Sequence, residues 1–187
     1  MLISLIGMPG GGKSTVGRHL ARQLGLPFFD SDHVIEDRIG GSIRDYFTAH
    51  GEEAFRDLEQ QVIGELTSDG DRVLATGGGA VLREANREAL RERTTVIYLR
   101  SSPEEIYRRL RHDTQRPLLQ VPDPLRKLRD LYRERDPLYR RTAHFVIETG
   151  RPSVPALVSM VLMQLELAGL VDASRVPSPV DRLRSHP

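Results

Sequence analysis

Cysteine is absent from the 187 residues. Disulfides, thiolate metal centres and cysteine nucleophiles are therefore excluded. Lysine is nearly absent as well: Lys13 and Lys127 are the only two, and arginine supplies the rest of the basic side chains. Arginine's planar fork favours bidentate contact with phosphate and carboxylate. Neither sign of charge dominates, because 27 Lys+Arg against 26 Asp+Glu leave a net charge of +1. No global field draws in nucleic acid or a membrane surface, so neither partner is expected.

Long apolar runs are missing too. Val154–Leu170 comes nearest, but Gln164 and Glu166 interrupt it. It reads as an amphipathic helix, not a membrane span. Met1–Ile6 is too short for a signal peptide and carries no basic n-region, so a cytoplasmic location is expected by elimination. No repeat and no linker divides the chain. One domain over residues 1–170 is expected, and a monomer. The length suffices for a sizeable core, and 39% hydrophobic with 28% charged residues suits a globular protein. Residues 171–187 are rich in Ser, Pro, Asp and Arg, and a disordered tail is expected there.

What is present is concentrated near the start. Gly7-Met8-Pro9-Gly10-Gly11-Gly12-Lys13-Ser14, followed by Thr15, fits the phosphate-loop pattern G-x-x-x-x-G-K-[ST]. The apolar run Leu2–Ile6 precedes it as a buried strand, and Val16, Leu20 and Leu24 follow at helical spacing. The loop thus stands between a strand and a helix. Glycines allow backbone N–H groups to turn around a polyphosphate, and the helix N-terminus adds positive dipole. Lys13 would reach the β- and γ-phosphates, and the Ser14 hydroxyl would ligate Mg²⁺.

Further along, Phe28-Phe29 is a short strand ending in Asp30-Ser31-Asp32. Helical segments are expected over about His33–Ile39, Ser42–His50 and Glu52–Thr67. Val73–Ala75 is a third strand, ending in Thr76-Gly77-Gly78-Gly79. A polar helix covers about Glu84–Arg93, and Thr95–Leu99 is the fourth strand. Ser102, Pro103 and Glu105 form a capping box at the next helix start. His112–Pro124 holds three prolines and reads as a mobile loop. A helix marked by Leu125, Leu128 and Leu131 follows, then the strand Phe145–Ile147 and the helix Val154–Leu170. Strands alternating with helices imply an α/β fold, a parallel sheet covered on both faces. Ligands gather at the carboxyl ends of such strands, where the phosphate loop, the Asp30–Asp32 pair and the glycine triplet all fall.

Asp30 and Asp32 have two readings. One carboxylate could help hold Mg²⁺ through water while the other orients an acceptor hydroxyl or takes its proton. The alternative is a helix N-cap. Gly77-Gly78-Gly79 offers close approach to a ligand, or simply a flexible turn. It is no dinucleotide fingerprint, because position 82 is Leu82. Arg56 could pair only with Glu52 or Glu59 on its own helix. Arg108, Arg109, Arg111 and Arg116 form either a solvated basic face or a lid that closes over phosphates. Arg135 is ambiguous by itself.

Together these stretches resemble shikimate kinase, a family of nucleoside-monophosphate-kinase-like enzymes. The resemblance runs from Leu2 to about Pro152 through GMPGGGKST, FFDSD, FRDLE, TGGG, RPLL at Arg116–Leu119 and ERDPLY at Glu134–Tyr139. It implies a five-stranded parallel sheet with helices on both faces, a substrate-binding region about 33–66 and a lid about 112–124. It implies ATP-dependent phosphorylation of the 3-hydroxyl of shikimate, in aromatic amino-acid biosynthesis. By resemblance, Gly10, Gly11, Gly12, Lys13, Ser14 and Thr15 hold ATP, Ser14 ligates Mg²⁺, and Asp30 supports the ion through water. Asp32 engages the acceptor hydroxyl, and Arg56, Gly77, Gly78, Gly79 and Arg135 bind shikimate. Arg116 reaches the phosphates from the lid, and Arg109 and Arg151 contact adenine. The family usually has Asp where Glu148 stands.

Three rival readings are open to test. A sister kinase acting on gluconate would share the loop and also bind a carboxylate. A GTPase needs N-K-x-D, and neither lysine follows an Asn. A non-catalytic ATP-binding module should lack part of the set Lys13, Ser14 and Asp32.

Overall fold

Five short apolar runs pair into one parallel sheet. They are β1 (Leu2–Ile6), β2 (Phe28–Asp30), β3 (Arg72–Ala75), β4 (Thr95–Arg100) and β5 (Phe145–Glu148), in spatial order β2-β3-β1-β4-β5. The structure is a computed structural model that describes residues 1–112, 119–150, 153–172 and 174. Arg116, Arg151, residues 113–118 of the expected lid and nearly all of the expected tail lie outside the described residues.

Among the described residues, seven α-helices connect or follow the strands: α1 (Lys13–Leu24), α2 (Ser31–Ile39), α3 (Ile43–Leu66), α4 (Glu84–Arg93), α5 (Pro103–Leu110), α6 (Pro124–Thr142) and α7 (Val154–Leu167). Inward side chains of alternate strand residues feed two apolar layers. Leu5, Val73, Ile97 and Ile147 meet α1 and α7 on one face. Ile6, Leu74, Val96 and Tyr98 meet α2 to α6 on the other. Leu20, Ile63 and Leu90 are fully buried, and each such side chain contributes ~1.5–3 kcal/mol of hydrophobic stabilisation. β1 and β3 are neighbours, yet the helix after β1 packs on one face and the helix after β3 on the other. Their loops therefore diverge and leave a crevice above the sheet, where such folds bind ligands.

Local chemistry sets the boundaries. Ser102 accepts the Glu105 N–H with Pro103 at the first helical position, one half of the expected capping box, while the Glu105 carboxylate accepts the Thr149 hydroxyl at 3.3 Å. α2 begins two residues before the expected His33, because the Asp30 carboxylate caps it by accepting the Asp32 N–H at 3.0 Å. The two expected helices of 42–67 run as one element, broken in φ/ψ at Gly51, whose φ of 86° lies in the left-handed region. α6 starts at Pro124, with Asp123 as its cap. α7 stops at Leu167, short of the expected Leu170. Among the described residues, no helix is long and apolar enough to cross a membrane.

The start of β5 carries a pH response. Val96 N–H donates to His144 Nδ1 at 2.9 Å, so the ring must be neutral there. Partial burial, and then the nearby Arg91, lower the His144 pKa. The folded state therefore binds this proton more weakly than the unfolded state does. Stability from this group is complete above the unfolded value near ~6.5 and declines as pH falls from there towards the folded value. His144→Asn keeps an acceptor for Val96 without titrating. The wild-type urea midpoint should fall between neutral and mildly acidic pH by more than that of the variant. Equal falls would show that His144 contributes nothing.

Candidate active site

The phosphate loop leaves β1 and enters α1 through Gly12, whose φ of 86° is open to glycine and strained for other residues. Gly11 N–H closes back on Met8 C=O at 3.1 Å. Lys13 is nearly buried, and its ammonium donates to Gly7 C=O at 2.8 Å and Met8 C=O at 2.9 Å. The cation is thus folded over the loop that a polyphosphate would fill. Ser14 Oγ donates to Asp30 Oδ2 at 2.5 Å, bridging the loop to the end of β2. Asp30 is thus the cap of α2, as one of its readings had it, and also the partner of Ser14.

Asp32 stands one residue further into α2. A Cβ at Gly77 would lie 2.7 Å from Asp32 Oδ1 and 3.2 Å from Glu59 Oε2. The glycine thus lets two carboxylates share that corner. Ser31 is fully buried and accepts the Gly77 N–H at 3.1 Å, which locks the two loops together. Burial raises the Asp32 pKa, and Asp30 raises it further, while Lys13 opposes them. Such a carboxylate is a better base than a solvated one.

A cleft of about 400 Å³ lies over these groups. The phosphate loop from Pro9 to Thr15, Asp30, Asp32, Gly77 and Gly78 line it, with Arg109 and Leu110 at its far end. Arg109 donates to the buried Thr149 hydroxyl at 3.4 Å. Gly79, Arg56 and Arg135 are not among the lining residues. The Arg56 guanidinium lies against Gly79, where any side chain would displace it. Its Nη1 donates to Glu59 Oε1 at 2.8 Å. The Nε atoms of Arg56 and Arg135, like that of Arg72 at the start of β3, are buried without a hydrogen-bond partner, with Glu52 Oε1 at 3.6 Å from Arg56 Nε. Two cations with unused buried donors, beside a cleft, suit an anionic ligand.

Four contributors escaped the sequence reading. Glu59 is only 1% exposed, and burial raises its pKa while Arg56 opposes the rise. A signal for it existed: it falls among Phe55, Val62, Ile63 and Leu66, the apolar stripe of α3. Tyr139 lies in the ERDPLY stretch and donates to Gly78 C=O at 2.6 Å. Ser31 and Thr149 gave no signal, because small hydroxyls in loops are common.

The donors Ser14 and Asp30 offer hard oxygen ligands, which suit Mg²⁺, an ion that keeps waters and takes the rest of its shell from phosphates. Among the described residues, no group of three or more His, Asp or Glu side chains could hold a metal. A site completed by nucleotide oxygens fits that arrangement.

The sequence matches the profile of the shikimate kinase family over residues 9–166. A shikimate kinase of Paracidovorax citrulli is 66% identical over 180 residues, 95% of this chain and 96% of that protein. One from Burkholderia thailandensis is 59% identical, over 90% of this chain and 92% of that protein. Among solved structures, the shikimate kinase of Acinetobacter baumannii in complex with shikimate superposes with a TM-score of 0.85 at 48% identity. That alignment covers 91% of this chain and 95% of the other. The Aquifex aeolicus enzyme superposes with a TM-score of 0.79 at 34% identity, covering 91% and 99%. With the profile spanning most of the sequence and relatives of such identity matched along nearly their whole length, the chain belongs to the shikimate kinase family.

Proposed function

We propose that this chain transfers the γ-phosphoryl group of ATP to the 3-hydroxyl of shikimate, giving shikimate 3-phosphate and ADP. The observation that carries the reading is the pair Arg56 and Arg135, whose buried Nε atoms meet no hydrogen-bond acceptor: the Arg56 guanidinium lies against Gly79, and Arg135 stands one helical turn before Tyr139, which reaches Gly78. Shikimate fits because it presents a carboxylate to the arginines and a hydroxyl to a base. The cytoplasmic setting belongs to the same proposal. So does the division of residues 1–170 into a core, a substrate-binding region about 33–66 and a lid about 112–124.

In the reaction, the bond from the γ-phosphorus to the bridging oxygen of ADP breaks. A bond from the acceptor oxygen to that phosphorus forms. Asp32 accepts the hydroxyl proton, a task its raised pKa suits. Lys13 leaves the loop carbonyls for the phosphates, and residues Gly10 to Thr15 cradle them through backbone N–H groups. Ser14 and Asp30 would hold Mg²⁺, which supplies charge neutralisation on the phosphate oxygens. Arg109, which lines the cleft, would contact adenine. Arg116 and Arg151 are proposed for the phosphates and the adenine by motif alone.

Little covalent work falls to the protein; positioning and electrostatics supply most of the rate. A coupled assay of ADP release, run with shikimate, gluconate or a nucleoside monophosphate as acceptor, tests the reading. Release should depend on shikimate and on Mg²⁺. Equal release with and without shikimate would overturn it, and a preference for gluconate would favour the sister kinase.

A further inference from the structure

Tyr139 is fully buried and stands one helical turn beyond Arg135 on α6. Its hydroxyl donates to Gly78 C=O at 2.6 Å. Its ring packs on Tyr98 with centroids 4.9 Å apart. Asp136, between Arg135 and Tyr139, ties the same stretch of helix to β4. It accepts from Tyr98 Oη at 2.7 Å and Arg100 Nε at 3.3 Å, and it pairs with Arg140 at 3.0 Å. The phenol is therefore held in place by packing and by a polar network.

The Gly78 carbonyl and the Gly79 N–H belong to one planar trans peptide and point in opposite directions. Holding the carbonyl towards Tyr139 therefore aims the N–H away from Tyr139. Gly79 is buried, and among the described residues its N–H meets no hydrogen-bond acceptor. Buried backbone donors without acceptors are rare. The Arg56 guanidinium lies against the same glycine. A free N–H beside Arg56, and an Arg135 whose buried Nε meets no hydrogen-bond acceptor, describe a place for an anion, with Glu52 Oε1 at 3.6 Å from Arg56 Nε.

We propose that Tyr139 is a positioning residue for the acceptor carboxylate: its hydroxyl sets the Gly78–Gly79 peptide so that the Gly79 N–H joins Arg56 and Arg135 as a third donor. The inference rests on the acceptor assigned above. Burial pushes the Tyr139 phenol well above its ordinary pKa, with Arg135 opposing, so the hydroxyl stays a donor throughout the working pH range.

Tyr139→Phe in the full chain removes the donor and keeps the ring. The shikimate KM should rise roughly tenfold, the scale of one hydrogen bond. The ATP KM should stay within about twofold, and the preference for shikimate over its carboxamide analogue should shrink. A lowered Tm with an unchanged shikimate KM and unchanged acid preference would mean a packing role only and would overturn the proposal. Should the variant fail to fold, ¹⁵N-labelled wild type decides: the Gly79 amide proton should move downfield on saturation with shikimate and much less with the carboxamide. An unmoved Gly79 resonance overturns the proposal. A wild type that neither binds nor phosphorylates shikimate overturns the acceptor reading and this inference with it. An active wild type with an indifferent Tyr139→Phe overturns this inference alone.

Discussion

Replacing Asp32 with Asn should lower kcat ~10²-fold or more, the scale of a lost general base, while ATP affinity changes little. The amide matches the carboxylate in shape but cannot take the acceptor proton. The pH profile supplies a second readout. Burial and the Asp30 charge raise the Asp32 pKa above the ordinary aspartate range. Only the ionised form is a base, so wild-type kcat/KM should fall as pH drops through that raised value, and Asp32→Asn should lack this acid limb. Stability should move the other way. A carboxylate with a raised folded pKa destabilises the folded state once pH exceeds its unfolded value, because the native state must give up a proton it holds more tightly. Removing the charge should therefore leave the Tm at neutral pH equal to or above wild type. Near-wild-type turnover, or a fall in kcat that merely tracks a lower Tm, would mean that Asp32 serves α2 and not the reaction.

The fold was legible where apolar periodicity and turn chemistry agree. β1, α1 and the loop between them stand where the pattern of Leu2–Ile6, the glycines and Val16, Leu20 and Leu24 puts them. Boundaries shifted where side-chain capping extended an element. Asp30 adds two residues to α2, and Asp123 fixes the start of α6. The break in α3 was legible: the expected helices Ser42–His50 and Glu52–Thr67 meet at Gly51, whose backbone is non-helical, and Phe47 packs against Phe55 across it.

The site was legible in its loops and hidden in its supports. Gly10 to Thr15, Asp30, Asp32, Gly77, Gly78 and Arg109 meet around one cleft although they span most of the chain. Parallel-sheet topology predicts that convergence for all but Arg109, because the others follow a strand or begin the helix after one, whereas Arg109 lies in the last turn of α5. Glu59 carries no loop signature and only its burial marks it. Ser31 and Tyr139 act by fixing backbone groups of other loops, a role set by tertiary contacts of 46 and 61 residues' separation. No local pattern encodes such pairs.

The acceptor carboxylate gives the sharpest test of Arg56 and Arg135. A buried carboxylate without partners is costly, and each guanidinium has a buried Nε without a hydrogen-bond partner, that of Arg56 facing Glu52 Oε1 at 3.6 Å. Loss of a charge-assisted contact at a desolvated site costs ~2–5 kcal/mol. Arg56→Ala and Arg135→Ala should therefore each raise the shikimate KM on the order of 10²-fold, with far less effect on the ATP KM. Arg56→Ala has a second consequence, because Glu59 loses its 2.8 Å partner while 1% exposed. That variant should be less stable, so Arg56→Lys is the cleaner probe. Lysine keeps a positive charge beside Glu59 and protects the fold, but it lacks the planar fork that grips two oxygens at once. Arg56→Lys should fold with a Tm close to wild type and still show the raised shikimate KM. The carboxamide analogue of shikimate separates charge reading from shape. Wild type should discriminate strongly against it, and the arginine variants should discriminate less, since the contact that distinguishes acid from amide is already gone. If wild type uses acid and amide equally well, neither arginine reads the carboxylate, and the two unpartnered Nε donors need another anion to explain them.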